Sequence, residues 1–232
     1  DEGLEIAKGQ VNKLSYVNKF GYNNAVGGSY EPITDLGTHN LPTSAAAVSI
    51  VSASTDDASA GTGARTVEIQ GLDANYDLQT STVTLNGTTA VTTGSDTYLR
   101  VFRMRVLTAG SGETNAGNIT ASIGGSDVAQ ISAGVGQTLM GVYTVPRGHN
   151  VYLVKFQASR SKNQEAQVQL RTRAINNGAW QVKGQFGTFS NTVEYEYTVP
   201  LLITQKTDIQ FRAKAGATSE MGVVFDMLLE KN

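Results

Sequence analysis

The chain has 232 residues with a formal net charge of −2, and it contains no cysteine. Disulfides, thiolate catalysis and cysteine-ligated zinc are therefore excluded, and basic residues interleaved with acidic ones leave no basic stripe, so we expect no nucleic-acid partner. No apolar run reaches the roughly 18 residues of a membrane helix, so no membrane partner is expected, while a hydrophobic share of 40% suffices for one large β domain or two small ones.

Residues 1–28 lack the regular alternation that dominates the rest of the chain. A short helix over 2–9 would end at Gly9, and further glycines break any longer pattern. We predict an extended N-terminal arm with two alternative placements. The arm packs on its own domain, or it reaches onto a neighbouring subunit through its apolar residues Leu14, Tyr16, Val17 and Phe20.

Residues 29–138 form the first predicted β-sandwich region. Apolar and polar residues alternate over 64–70, which is the two-residue period of a half-buried strand. Asn86-Gly87 favours the positive φ angles of a tight turn. We therefore predict that strand 80–86 folds back on strand 88–93 as a hairpin.

A strand over 98–107 carries three arginines, Arg100, Arg103 and Arg105. Strict alternation cannot place all three side chains on one face of a sheet. A β-bulge near Arg103 would explain the pattern. Burial at a subunit contact is the alternative, because guanidinium groups suit interface ion pairs.

Residues 139–232 form the second predicted region, in which the alternation is clearest. The segments 167–174, 193–199 and 208–215 each place apolar residues, Tyr195 and Val199 among them, on the predicted inward side. If these strands are neighbours, the acidic positions of 193–199 lie beside basic positions of the other two. Asn176-Asn177-Gly178 predicts a further tight turn.

Long amphipathic helical patterns are missing, so the predicted class is all-β. We expect an antiparallel β-sandwich of the jelly-roll type. Two plans remain open. The arm 1–28 and the regions 29–138 and 139–232 belong to one continuous domain, or the two regions form stacked sandwiches in a double jelly-roll-like arrangement.

One segment has the spacing of a metal site. Asp73, Asn75 and Asp77 match the opening of an EF-hand calcium loop, but Leu78 stands where that loop needs glycine. The two interpretations are an Asx-type turn between strands and a structural calcium bound by these three residues. The acidic pair Asp56-Asp57 is interpreted as solvated loop charge.

Catalytic patterns are missing from the sequence. His39 and His149 lie in predicted loops without the spacing that indicates a partner serine or carboxylate, and no G-x-S-x-G motif occurs. The single tryptophan, Trp180, makes a poor sugar platform. We expect no enzyme and no cofactor other than the calcium alternative.

The order GTGARTVEIQGLD (61–73), TVTLNGTTAVTT (82–93), YLRVFRMRV (98–106) and AGSGETNAGNIT (109–120) resembles virion structural proteins of tailed, marine podovirus-like bacteriophages. The C-terminal segments VYTVPRGHNVYLVKF and VEYEYTVPLLI continue the resemblance, which covers about residues 20–230. It implies the same fold and a place in a virion, and it identifies no active residue.

Two function classes follow. The first is a non-enzymatic structural component that self-assembles on or in a phage capsid, as a shell, decoration or knob protein, with other copies and other virion proteins as partners. The alternative is a receptor- or glycan-binding module of a tail or fibre. In that case the loops 53–63, 108–118 and 159–165 would contact the host surface receptor.

Overall fold

The computed structural model describes residues 2–161, 165–174, 178–188 and 191–232. The predicted turn at Asn176-Asn177 lies outside these residues, and so does part of the loop 159–165. The elements are α1 (Glu2–Ala7), β1 (Leu14–Val26), β2 (Glu31–Pro32), β3 (Ala46–Ser52), β4 (Ala64–Leu72), β5 (Leu78–Thr84), β6 (Val91–Tyr98), β7 (Arg100–Ala109), β8 (Ile119–Ile123), β9 (Ser126–Ile131), β10 (Val142–Thr144), β11 (His149–Arg160), β12 (Ala166–Arg173), β13 (Gln181–Gly187), β14 (Thr192–Ile203), β15 (Asp208–Ala215) and β16 (Ser219–Lys231). The predicted all-β class is confirmed.

The chain divides into two compact units, each with its own core. Unit 1 comprises residues 1–33 and 141–232, and unit 2 comprises residues 34–140. The chain therefore leaves unit 1 after Ile33 and returns to it at Gly141. The division predicted from the sequence instead sets residues 1–28 apart, and it stays a prediction.

Unit 1 is an antiparallel sandwich of two sheets. Sheet A has the order β1-β16-β11-β14, and sheet B has the order β10-β15-β12-β13 with β2 also paired to β15. Because β2 and β10 share one position beside β15, the described residues of the unit fill eight strand positions in two sheets, as in a jelly roll. Phe156, Phe211 and Phe225 are buried in its core, and the ring of Phe211 contacts the rings of the other two.

The residue at which the chain leaves unit 1, Ile33, and the residue at which it returns, Gly141, lie together beside β15. The Gly141 amide donates to the Ile33 carbonyl oxygen at 2.8 Å, and the Ile33 amide donates to Phe211 at 3.0 Å. Gly21 of β1 packs against this junction so closely that an added Cβ atom would lie 2.2 Å from the Gly141 nitrogen. Only a residue without a side chain fits there.

Unit 2 is also a sandwich, with sheets in the order β6-β3-β8-β9 and β5-β4-β7. Its seven strands follow another order than the strands of unit 1, and hairpins join β4 to β5 and β8 to β9. Ile50, Ile69, Met104 and Ile131 are among the buried side chains of its core.

The predicted hairpin around Asn86-Gly87 is wrong. The turn exists, with Gly87 at φ +59°, but β5 pairs with β4 while β6 pairs with β3, in the other sheet of the unit. A turn signal specifies the local backbone and leaves open which strand the chain joins next.

The bulge predicted in the arginine strand is present. Gln70 pairs with Arg103 and Gly71 pairs with Val101, so that Phe102 is the extra residue of β7. The extra residue shifts the alternation, so side chains before and after the bulge in β7 do not follow one continuous inward–outward pattern. Arg100 is consequently buried at 2% exposure, whereas Arg105 is exposed.

The close contact at the unit 1 junction generates a stability prediction. We expect Gly21→Ala to destabilise unit 1 by roughly 1–3 kcal/mol or more, because backbone atoms must move to admit the methyl group. Gly28→Ala is the matched control, since nothing lies within 4 Å of its added Cβ atom. Urea unfolding of both variants checks this, and equal effects would contradict the packing argument.

Asp35 generates a pH prediction for unit 2. Its Oδ1 atom is shut off from solvent without a hydrogen-bond partner, and burial, opposed by hydrogen bonds from Leu139 and Ser132, raises the pKa of Asp35 to about 7. Since the unfolded value is about 3.9, the stability that Asp35 contributes is lost as the pH rises from about 4 to about 7. Urea unfolding should show Asp35→Asn more stable than wild type by roughly 1–3 kcal/mol at about pH 8 and nearly equal at about pH 4. A difference that does not change with pH would overturn this account.

Candidate interaction surfaces

The outer face of sheet A carries an apolar row that crosses all four strands. Tyr16 pairs with Leu228, Leu228 with Tyr152, and Tyr152 with Leu202. Tyr16 is 48% exposed and Leu202 is 51% exposed, and the two central residues are half-buried. We call these four residues the apolar row.

Polar partners fix the tyrosines of the apolar row. The Tyr16 hydroxyl donates to the Asp226 carboxylate, and the Tyr152 hydroxyl donates to Glu230 Oε2 at 2.9 Å. Burial and the neighbouring Asp226 carboxylate raise the pKa of Tyr16, so the phenol stays neutral. Both rings are therefore held in place as uncharged contact surface.

The next positions along sheet A are charged. Asp226 accepts a hydrogen bond from Asn18 at 2.7 Å and lies 3.5 Å from the Lys155 ammonium group. Beyond them Phe20 pairs with Val224, which is 45% exposed. The outer face is thus apolar with a charged border, which is the composition of a protein interface.

The predicted arm residues lie in β1 rather than in an irregular segment. Leu14, Tyr16 and Phe20 alternate onto the outer face of sheet A, while Val17 pairs with Met227 on the inner side. β1 is hydrogen-bonded along its length to β16 of the same chain. This is the alternative in which residues 1–28 pack on their own domain, and contact of the outward residues with a neighbouring subunit stays a prediction.

In the edge strand β14 the predicted alternation of inward and outward side chains is interrupted. Leu201 pairs with Leu153 and Glu196 pairs with Lys155, so residues 197–200 bulge opposite a single residue of β11. Tyr195 still packs against Phe156 and Phe186, but Val199 is 80% exposed. The inward prediction for Val199 is wrong because the bulge, which contains Pro200, breaks the alternation.

The outer face of sheet B collects cations. β12 pairs with β15, which places Arg171 opposite Gln210, Arg173 opposite Asp208, Gln169 opposite Arg212, and Gln167 opposite Lys214. The expected pairing of acidic with basic positions is wrong, because β14 lies in sheet A and the two basic strands are neighbours in sheet B. We call Arg171, Arg173, Arg212 and Lys214 the basic face.

Two aromatic rings cover the basic face. The guanidinium carbons of Arg171 and Arg173 lie 4.2 Å and 5.2 Å from the centre of the Trp180 ring. Arg212 and Lys214 lie 4.7 Å and 5.0 Å from the centre of the Tyr30 ring. No local pattern in the sequence indicates these contacts. Tyr30 is distant from Arg212 and Lys214 along the chain, and Trp180 meets Arg171 and Arg173 because β13 folds back on β12.

In unit 2 the Asp57 carboxylate joins two of the predicted contact loops. It is fully buried and accepts hydrogen bonds from Ser52 and Ala64 on one side, and from Ala116 and Gly117 on the other, at 2.5–2.9 Å. Burial alone would raise the pKa of Asp57, but these four hydrogen bonds lower it. The prediction of solvated charge is wrong for Asp57.

The loops 53–63 and 108–118 consequently form one ordered loop pair. Asn115 extends the hydrogen bonding, since its amide nitrogen donates to Gly117 and Ser132 and its oxygen accepts from Gly136. A Cβ atom added at Gly63 would lie 2.2 Å from Asp57 Oδ1. The loop pair is preorganised rather than adaptable.

The calcium candidate has the geometry of an Asx turn. Asp73 Oδ1 accepts from the amides of Asn75 and Asp77 at 2.7 Å and 2.9 Å, and Tyr76 adopts a φ of 67°. Within the described ranges no group of three or more His, Asp or Glu side chains is placed to hold a metal ion. Calcium binding by Asp73, Asn75 and Asp77 stays a prediction.

The three arginines of β7 have different environments. Arg100 donates to the Pro42 and Leu99 carbonyl oxygens at 2.8 Å and 2.9 Å inside its own unit, and its interface role stays a prediction. Arg105 forms a two-pronged ion pair with Glu68 at 2.7 Å and 3.2 Å. Arg103 is half-exposed beside that pair, and the interface role of Arg103 and Arg105 stays a prediction.

Two further features concern enzymatic and membrane functions. His149 Nδ1 lies 2.9 Å from the carbonyl oxygen of Arg147, in the turn that leads into β11. Across the part of the chain that the structure describes, no helix combines the length and the apolar character needed to cross a bilayer.

No protein-family model and no curated protein matches the chain. Among solved structures, it is similar to the infectious bursal disease virus Gx strain structure at 10% identity and a TM-score of 0.22, covering 94% of this chain and 76% of that one. The VP2 subviral particle of the same virus gives 12% identity, coverages of 95% and 77%, and a TM-score of 0.20. These scores are too low to support an argument about fold or function.

The loop pair generates a second pH prediction. We expect Asp57→Asn to destabilise the protein by about 1–3 kcal/mol at neutral pH, because a buried amide donor is left facing another donor. The folded pKa of Asp57 is lowered, so its contribution is present above the unfolded pKa and is lost as the pH falls through the folded pKa. Urea unfolding should therefore show the difference from wild type shrinking below about pH 4.

Asp56→Asn is the matched control for the same loop, since Asp56 is exposed. Its unfolding should follow wild type at every pH. Equal destabilisation by both substitutions, or a loss for Asp57→Asn that persists unchanged in acid, would contradict the role given to the Asp57 carboxylate.

Proposed function

We propose that the chain is a non-enzymatic structural component of a virion, which self-assembles and contacts other virion proteins. The observation that carries the proposal is the apolar row on the outer face of sheet A. A row of two aromatic and two leucine side chains across a whole sheet is costly to leave in water. Its burial against another copy would remove that cost.

The surroundings of the apolar row support a protein partner. Asp226, Lys155 and Glu196 form a charged border along one side, and the exposed Val199 bulge extends the apolar surface at the sheet edge. Interfaces combine an apolar centre with a polar rim in this way. Contiguous exposed apolar surface on a soluble protein commonly marks an interaction site.

The sequence resemblance gives the proposal its setting. Segments over residues 20–230 resemble virion structural proteins of tailed bacteriophages, and a shell, decoration or knob protein would be built from repeated contacts of one surface. The jelly roll of unit 1 would supply that surface. Unit 2, inserted between Ile33 and Gly141, would carry the preorganised loop pair.

Substitution within the apolar row tests self-assembly. We expect Leu202→Lys to raise the dissociation constant of self-association at least tenfold, about 1.4 kcal/mol, because an interface would bury the introduced charge. Sedimentation velocity over a concentration series measures it. The matched control is Leu78→Lys in β5 of unit 2, since Leu78 is 55% exposed and Leu202 is 51% exposed.

The proposal fails if wild type stays monomeric at high concentration, or if both lysine variants associate like wild type. Deleting residues 1–22 is a poorer test, because the deletion removes most of β1 and with it the pairing to β16. Point substitution leaves the sheet intact and isolates the surface.

A further inference from the structure

The basic face of sheet B holds more positive charge than its neighbourhood neutralises. Asp208 pairs with Arg173 at 2.8 Å, and it also accepts from Thr144 at 2.7 Å. Among the described residues, Arg171 and Arg212 form no ion pair. Each donates its Nε to a glutamine, Gln210 at 2.7 Å and Gln169 at 2.8 Å respectively.

These bonds use only the Nε donor of each arginine. The Nη atoms of Arg171 and Arg212 make no hydrogen bond to a described residue, and the two side chains are diagonal neighbours across β12 and β15. Two forked donors side by side match the geometry of an anionic group with two or three oxygens.

The side chains are also held rigidly. The Tyr30 hydroxyl donates to Gln167 at 2.7 Å, and Gln185 donates to the same oxygen at 3.2 Å. The rings of Trp180 and Tyr30 fix the cations that stack on them. A ligand would therefore lose little free energy in ordering this surface.

The electrostatic state of Arg171 fits an anion site. Burial, then repulsion from Arg212 and Arg173, lowers the pKa of Arg171 to about 10. Arg171 is still cationic at neutral pH, so its half-buried charge lacks compensation. A bound anion would relieve both the desolvation and the repulsion.

We propose that the basic face binds an acidic saccharide, with Arg171 and Arg212 holding its carboxylate or sulfate group. The carboxamides of Gln167 and Gln185 and the Tyr30 hydroxyl would hydrogen-bond the sugar hydroxyls. Lys214 would add a second cation along the chain of sugars. The site is independent of the apolar row, which lies on the other sheet of unit 1.

Two other anionic partners fit less well. The centre of a protein interface is depleted in charge, whereas this face is made of charged and amide side chains. Nucleic acid is disfavoured because Arg173 is paired with Asp208, and the three cations that are left on this face do not form the basic stripe that contacts to a phosphate backbone require. Charge combined with amide donors and aromatic rings is better matched to a sugar acid.

Calorimetry on the full chain tests the proposal, with a galacturonic acid oligomer, a sulfated oligosaccharide and a neutral glucose oligomer of equal length as probes. We expect one of the acidic oligomers to bind at least tenfold more tightly than the neutral one, and the stronger of the two identifies the anionic group. Arg171→Gln and, separately, Arg212→Gln should weaken that binding at least tenfold.

Arg147→Gln is the matched control, because it removes the same charge from an exposed turn of unit 1. Lys214→Gln, at the border of the site, should weaken binding severalfold. This variant still tests the site if an arginine variant fails to fold. The proposal is overturned if no acidic oligomer binds, if Arg147→Gln weakens binding as much, or if polyglutamate or a DNA oligonucleotide binds as tightly as the saccharides.

Discussion

The architecture of unit 1 depends on the edge of β15 being completed by two separate pieces of chain. β10 pairs with the N-terminal part of β15, and β2 pairs with its C-terminal part. The hydrogen bond between Ile33 and Gly141 joins the two pieces. One strand position of the jelly roll is thereby interrupted without loss of the sheet. The whole of unit 2 is inserted at that interruption, so the junction that Gly21 packs against holds both ends of the insertion.

The same strand pairing separates the chemistry of the two outer faces. With β15 beside β12, the basic positions of both strands lie together and neutral glutamines alternate between them. With β14 beside β11, the acidic positions Glu194 and Glu196 lie in sheet A. One face is thus suited to protein contact and the other to an anionic ligand, and both follow from the order of strands rather than from any motif.

The sequence predicted well which residues of a single strand point inward or outward. It predicted poorly which strands pair with each other. Alternation identified the inward and outward residues of β12 and β15 correctly, because that period depends on the strand backbone alone. It could not show that β12 and β15 are neighbours, since pairing between distant strands leaves no local signal. The Val199 bulge and the destination of the turn at Asn86-Gly87 were missed for the same reason.

The burial of the Asp57 carboxylate could not be predicted from the sequence either, because its hydrogen-bond donors come from separate segments of the chain. A carboxylate in a polar loop is usually solvated, and the four donors to Asp57 come from the end of β3, the start of β4 and the loop before β8. The three arginines of β7, by contrast, allowed a structural feature to be predicted from the sequence. Their spacing conflicted with strict alternation, and that conflict correctly indicated the bulge at Phe102.

Hydroxyl-radical footprinting of the wild-type chain tests most directly the claim that copies meet through sheet A. Labelling of individual side chains is compared at low and at high protein concentration. The account predicts that Tyr16 and Leu202 become protected as concentration rises, while the equally exposed Leu78 keeps its labelling. Association that leaves Tyr16 and Leu202 fully labelled would contradict it.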